Sequence, residues 1–390
     1  MNATIAESNL SVPEQDLTFN VGSLMSYLEQ VIDPRAARGV RYALVHLLTL
    51  LVLAKLGGED SVSGMAEWVK VRGADLVRLL KLPRPNVPHP TTYERVLDKL
   101  DVLSFEQQIG AFFAAQVPDA ATISMDGKTL RGTIPDGETQ GVHLLAAYSP
   151  GQGVVLMQVE VKSYENEISV APRLLEKLDL RGKIVTGDAI FTQHSLCEQI
   201  VEAGGAYILP VKANQLDLQA AIAALFMPPP VSLGHSLPRE AWRTAHTVTC
   251  QRGRIENRYL TSCSLVHAGW GWAQLAQVFR LQRVVHHQRT GRLTYQVAFG
   301  ITSLSPERAT PQFLLELIRQ HWHIENRLHY VRDVTFSEDA CRIRQPHRQR
   351  LLATLNNLVI GLLRQTPFDF IPQARRYFTV HYHEAFMLLC

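Results

Sequence analysis

The chain has 390 residues, 46% apolar and 19% charged, enough to bury a sizeable core spread over two or three domains. Its 39 basic and 36 acidic residues leave a net charge of +3, so overall charge does not single out nucleic acid as a partner. Five scattered cysteines with no C-x-x-C pair exclude a disulfide scaffold and a legible structural zinc site, and they point to reduced thiols in a cytoplasmic protein.

Residues 1–20 are polar and acidic, carry no signal-peptide pattern, and read as a disordered lead-in. Residues 21–118 read as a helical N-terminal domain. Within it, 24–32 is amphipathic and broken by Pro34, and 40–56 is a buried helix ended by Gly57-Gly58. The apolar run at its centre, LVHLLTLLVLAKL, has 13 residues and contains His46 and Lys55. A membrane span needs about 20 apolar residues, so this is a core helix. Pro83, Pro85, Pro88 and Pro90 make a stiff linker, and PHPTTYERVLDKL reads as a helix capped by Thr91 or Thr92. Such a module is either a helix-turn-helix DNA reader or a brace for the next domain. Only Arg95 and Lys99 supply cations on the would-be recognition helix, which favours the brace.

The pattern changes at residue 119. ATISMDGK is a strand, and 142–148 and 153–161 are two strands joined by the turn S-P-G-Q-G. An amphipathic helix follows over 168–178, then the strand KIVTGD, a helix over 193–203 and the strand AYILPVK. Strand, hairpin, helix, strand, helix, strand is the order of a ribonuclease H-like α/β core, here its first part, 119–213. Residues 214–310, with the loop Met227-Pro-Pro-Pro, read as a β-rich insertion. Residues 311–365 return to helical periodicity as the last part of the core, with one long helix over 313–334 and another over 348–365. Residues 366–390 form an uninformative C-terminal tail.

Asp126 ends the first strand, inside MDGKTLRG, and Asp188 ends a later one, inside VTGDAIF. Parallel strands would bring both acids to one sheet edge, where α/β proteins place their ligands. Glu325 lies on the helix after the insertion. Three carboxylates of this kind can hold two Mg²⁺ ions roughly 4 Å apart and activate a hydroxyl for attack on a phosphodiester. Cations surround them. Lys128 and Arg131 lie just past Asp126, and His321, His329 and Arg332 share a helix face with Glu325. The stretch 319–350 holds seven arginines and four histidines against four acids, which suits either a phosphate backbone or a solvated face.

The segments DPRAARGVRYAL, PHPTTYERVLDKLD, MDGKTLRG, NEISVAPRLLEKLDLRGKIVTGDAIFTQ, YILPVKANQ and RQHWHIENRLHYVRDVTFSEDACRIR resemble the DDE transposases of bacterial insertion sequences, in the branch that includes the H-repeat-associated proteins. The resemblance implies a ribonuclease H-like core and Asp126, Asp188 and Glu325 as catalytic, metal-holding acids for Mg²⁺ (or Mn²⁺), two ions in all. It implies DNA as partner: transposon terminal repeats and target, bound by a dimer or higher oligomer assembled on the ends, with no membrane association and nucleoid association when bound. Lys128, Arg131, Lys212, His321, Arg327 and Arg332 are the expected DNA contacts. The wider transposase pattern has tyrosine, arginine and lysine where this chain has Ile318, His321 and Arg332. Asn166-Glu167 also match the branch, with Glu167 either an accessory acid or a helix N-terminal charge. The rival reading is a catalytically silent, transposase-derived DNA-binding protein. A zinc hydrolase built on His321-x-His323 or His381-x-His383-Glu384 is disfavoured, because histidines two apart on a helix diverge by about 200°.

Overall fold

A computed structural model of the chain describes residues 23–118, 121–227, 241–266, 268–341 and 343–390; the lead-in 1–20 and most of the Pro-rich loop after Met227 lie outside them. Six helices come first: α1 (Leu24–Leu28), α2 (Leu44–Leu56), α3 (Val62–Val71), α4 (Gly73–Leu79), α5 (Pro90–Leu97) and α6 (Val102–Ala114). Every residue of α2 except His46 is buried. A helix apolar on all sides must be enclosed on all sides, and α2 is packed by α1, α3 and three helices from the C-terminal end. No helix among the described residues is long and apolar enough to cross a membrane. The cap of α5 is His89, whose ring accepts from the Thr91 amide, and not a threonine as expected. Pro90 takes the first helical position, where its missing N–H costs nothing, and this starts the helix before the threonines.

One nine-stranded sheet follows, with β1 (Thr122–Thr129), β2 (His143–Ser149), β3 (Val154–Val161), β4 (Ile184–Thr186), β5 (Ala206–Val211), β6 (Trp242–Gln251), β7 (Arg254–Cys263), β8 (Gln277–His287) and β9 (Leu293–Thr302). Their spatial order is β3-β2-β1-β4-β5-β9-β8-β7-β6. β1 and β4 pair in parallel, as do β4 and β5, while β1, β2 and β3 form an antiparallel meander. Helices α7 (Glu167–Leu175) and α8 (His194–Glu202) sit in the crossovers, and α9 (Leu216–Leu225) follows β5.

The β-rich segment does not loop out of the core as expected. β9 pairs antiparallel with β5, so the four long strands β6–β9 extend the same sheet. β5 would otherwise be an open edge, and β9 satisfies its outward N–H and C=O groups. The helix expected over 313–334 is also interrupted. It comprises α10 (Pro311–His321), a π-helical turn (Ile324–His329) and α11 (Tyr330–Val334). The C-terminal tail is helical: after α12 (Pro346–Arg364) come α13 (Ile371–Val380) and α14 (Tyr382–Met387), which pack on α2.

The N-terminal helices are bonded directly to the sheet. α6 and α12 lie on β3, and a buried polar network joins the three. Gln158 Nε2 donates to Glu106 Oε1 and Thr354 Oγ1, both at 2.8 Å, and Arg350 Nη2 lies 2.7 Å from Glu106 Oε2. Each member satisfies another, as burial of charge requires.

Candidate active site

β1 and β4 are neighbours, with Ser124 opposite Thr186. Asp126 stands two residues further along β1, inside the strand and not at its end, because β1 runs on to Thr129 in its pairing with β2. Asp188 lies just past β4, where it opens a short 3₁₀ turn over Ala189–Phe191. Glu325 comes to the same edge from the π-helical turn. Such turns occur mostly as single-turn insertions, frequently at functional sites. The inserted residue turns the following helix by about 100° relative to an unbroken α-helix.

The point of convergence is His329. Its Nδ1 lies 3.3 Å from Asp126 Oδ2 and 3.3 Å from Glu325 Oε2, and its side chain is 4% exposed. Ligand atoms of Asp126, Glu325 and His329 all fall within 4.8 Å of one another, close enough to share an ion. The hydrogen bond from His329 holds the Glu325 carboxyl below its usual pKa, against the effects of burial and of Asp126. His329 Nε2 is buried without a partner. His329 was expected as a flanking residue on the exposed helix face; it is instead buried, with one ring nitrogen against both carboxylates. The legible signal was its i+4 spacing from Glu325.

Asp188 is not part of that three-residue group and is half exposed. Its neighbour is His321, whose Nε2 lies 3.9 Å from Asp188 Oδ1 and whose Nδ1 lies 3.1 Å from Thr186 Oγ1. Burial pushes the His321 pKa down, partly countered by Asp188 and Asp126. His321, expected as a DNA contact, therefore faces Asp188 and Thr186.

Arg332 is a clearer correction. It is 1% exposed, and its Nη2 lies 2.8 Å from Glu338 Oε1. Burial works against the Glu338 charge, but Arg332 and the Asn356 amide outweigh it and keep the carboxyl below its usual pKa. Arg332 lies on α11, just after the π-helical turn, and its side chain is directed into the protein. Lys128 is also committed, with Nζ 2.6 Å from Asp333 Oδ1 and a side chain only 10% exposed. Arg131 keeps an exposed guanidinium 3.6 Å from Asp339. Lys212 is exposed just beyond β5. Arg327 is half-buried beside Arg364, and the two guanidiniums have no carboxylate partner among the described residues.

Glu167 is the first residue of α7, after the Asn166–Ser169 capping box. Its Oε1 lies 2.7 Å from His143 Nε2, and His143 Nδ1 lies 2.8 Å from Thr129 Oγ1. This chain crosses β1 at Gly127, where a Cβ would fall 2.2 Å from Glu167 Oε1. Only glycine lets the carboxylate rest against the strand that carries Asp126. His381 and Glu384 form a surface pair at the C-terminal end, outside the three-residue group.

Residues 118–362 match the family described as "Transposase DDE domain", and residues 25–113 match "DDE_Tnp_1-associated". "Putative transposase YncI" of Escherichia coli O157:H7 is 29% identical over 362 residues, covering 88% of each chain. "H repeat-associated putative transposase YhhI" of Escherichia coli K12 is 25% identical over 352 residues, covering 87% of this chain and 90% of that one. Among solved structures, a piggyBac transposase synaptic complex with hairpin DNA aligns with a TM-score of 0.43 at 11% identity, covering 88% of this chain and 71% of that chain.

Proposed function

The chain belongs to the transposase DDE domain family, and from that premise we propose that Asp126, Asp188 and Glu325 form a centre that cuts DNA at the ends of a mobile element and joins the freed 3′-hydroxyl to a target. The observation that carries this reading is the convergence of Asp126 and Glu325 on His329, with Asp188 just past the neighbouring strand β4. Asp126 and Glu325 are distant in sequence, and a fold with no use for them would have no reason to crowd two carboxylates together. The meander β1-β2-β3 with parallel β4 and β5 supports a ribonuclease H-like core.

The donor set suits a divalent cation. Carboxylate oxygens select hard ions such as Mg²⁺, and the His329 nitrogen adds affinity for Mn²⁺. In this reading Asp126, Asp188 and Glu325 would hold two such ions, with His329 as a further ligand, and the ions would supply acidification of the attacking hydroxyl and charge neutralisation at the leaving oxygen.

The chain's own residues prepare that step. His321 orients Asp188 through a ring that Thr186 steadies. Lys128 and Asp333 fix β1 to α11, so that Asp126 and Glu325 keep their spacing. Lys212, Arg131 and Arg327 are the cations best placed to receive phosphates. Cleavage of two ends and their joining call for at least two copies of the chain on DNA.

The test is incubation of the protein with duplexes bearing its element's ends in Mg²⁺, Mn²⁺, Ca²⁺ or EDTA, scoring free 3′-hydroxyl ends. Asp126→Asn, Asp188→Asn and Glu325→Gln should each abolish cleavage and keep DNA binding. Cleavage surviving in any of the three, or proceeding in EDTA, rules the assignment out. Binding without cleavage under every metal condition would support the catalytically silent DNA-binding protein.

A further inference from the structure

We propose that the free end of the β6–β9 ribbon is a second DNA-contact surface, gripping the phosphate backbone of duplex DNA about six base pairs from the strand being cut. The proposal rests on the reading of this chain as a protein that acts on DNA, and its observations are independent of the carboxylates.

Strand register gives the geometry. Thr302 of β9 pairs with Ile208 of β5, and Phe299 with Val211, the last residue of β5. β9 begins at Leu293, so six of its residues continue past the end of β5. At about 3.3 Å per residue, the ribbon overhangs that edge by about 20 Å. It is the edge at which Asp126, Asp188 and Lys212 lie. β6, β7 and β8 accompany β9 in register over this overhang.

Register also settles the face. Opposed residues share a face, as do residues two apart on a strand. Asp126 shares its face with Ser124, which leads through Thr186, Ile208 and Thr302 across the sheet to Gln296, Arg283 and Arg258. Arg254, four residues before Arg258, is on that face too. The ribbon therefore continues the catalytic face outward.

The charge on it is one-sided. Between residues 241 and 302 there are eight arginines and a single acid, Glu256. Glu256 is shared by Arg258, at 2.8 Å, and Arg283. Burial and the nearby Arg319 and Arg283 weaken the hold of Arg258 on its proton despite Glu256. At the tip, Arg252, Arg254, Arg289 and Arg292 are all exposed and have no carboxylate partner among the described residues. Two tight turns present them. Arg252 and Gly253 have φ of 49° and 69°, as a two-residue hairpin turn requires, and Gly291 has φ of 66°. The Gln288 amide donates to Gly253 O at 2.9 Å and ties one turn to the other. Four unpaired guanidiniums on a braced support, in line with a phosphodiester-cutting edge, are complementary to a duplex backbone. At a rise of about 3.4 Å per base pair, a 20 Å overhang reaches about six base pairs along it.

The test compares the full-length protein with its R252Q/R254Q/R289Q/R292Q variant on a 40-base-pair mixed-sequence duplex, titrated across a range of KCl. Melting temperature serves as the folding control, since all four positions are exposed. The variant should bind at least about tenfold more weakly at low salt, and its log–log salt slope should be flatter by about two units or more, given roughly 0.9 per phosphate contact. Hydroxyl-radical footprints on end-bearing duplexes should lose protection about six base pairs from the cut, and only there. Unchanged affinity and slope, a loss seen only on single strands, or no duplex binding by the unsubstituted protein would each overturn the proposal. The two readings fail separately. Ribbon-dependent binding with no cleavage in Mg²⁺ or Mn²⁺ removes the catalytic assignment alone; cleavage with unaltered binding in the variant removes the ribbon alone.

Discussion

His329 Nδ1 stands 3.3 Å from Asp126 Oδ2, so a buried histidine ring from the helical layer touches the acid on β1 of the sheet. The same nitrogen is 3.3 Å from Glu325, and His329 therefore separates two carboxylates that would otherwise repel each other. Replacing it should weaken the grip on metal more than it alters DNA affinity. His329→Ala is expected to raise the concentration of Mg²⁺ or Mn²⁺ needed for half-maximal cleavage by about 10–100-fold, the usual cost of losing a supporting group at a metal site. Cleavage titrated against each ion checks this, and an unchanged metal requirement would return His329 to a packing role.

Lys128 and Asp333 join β1 to α11 in a largely buried contact. Removing one partner strands the other charge, at a cost of several kcal/mol, whereas removing both costs less. Lys128→Met and Asp333→Asn should each lower stability, and the double substitution should be less damaging than the sum, with a coupling of about 1–3 kcal/mol in chemical denaturation. Additive effects would show that the pair carries no interaction energy of its own.

Gly127 is where Glu167 and His143 cross β1. An added Cβ would lie 2.2 Å from Glu167 Oε1 and 2.6 Å from His143 Nε2. Gly127→Ala should therefore displace that pair and lower stability by about 1–3 kcal/mol, as overpacking does. Adding Glu167→Ala should recover part of the loss by making room. Thermal melts of the single and double variants test this; if the double is no better than the single, the clash has another source.

Lys55 is buried at the end of α2. Burial, reinforced by Arg375 and opposed by Asp60, pushes its pKa down to about 8. A folded-state value below that of the unfolded chain means that the unfolded chain binds more protons between about pH 8 and 10.5. Stability contributed by this site should rise with pH across that window and be lowest below it. Lys55→Met should be more stable than the parent at pH 7, by up to about 3 kcal/mol, and the advantage should shrink toward pH 10. Asp60 keeps Arg375 at 2.8 Å, so the substitution leaves no acid unpaired. A stability difference independent of pH would mean that Lys55 is not held at a depressed pKa.

Several features were readable from the sequence because they depend on local pattern. The 13-residue apolar run of α2, the S-P-G-Q-G hairpin between β2 and β3, and the acids within or just after short apolar strands all follow from periodicity and turn chemistry. The spacing of Glu325 and His329 was legible too, although its meaning was not. Two facts about neighbours were beyond local pattern. Arg332 reads as a free cation until Glu338, itself held by Asn356, is seen to pair with it, and the β segment reads as an insertion until β9 is seen to pair with β5. Which carboxylate takes a given guanidinium, and which strand edge accepts another strand, are settled by contacts between residues far apart in the chain, whose energies depend on burial and geometry that no short stretch encodes. The π-helical turn that carries Glu325 belongs with these. Its sequence is compatible with an ordinary α-helix, and in the folded protein Glu325 and His329 lie within it, turned toward Asp126.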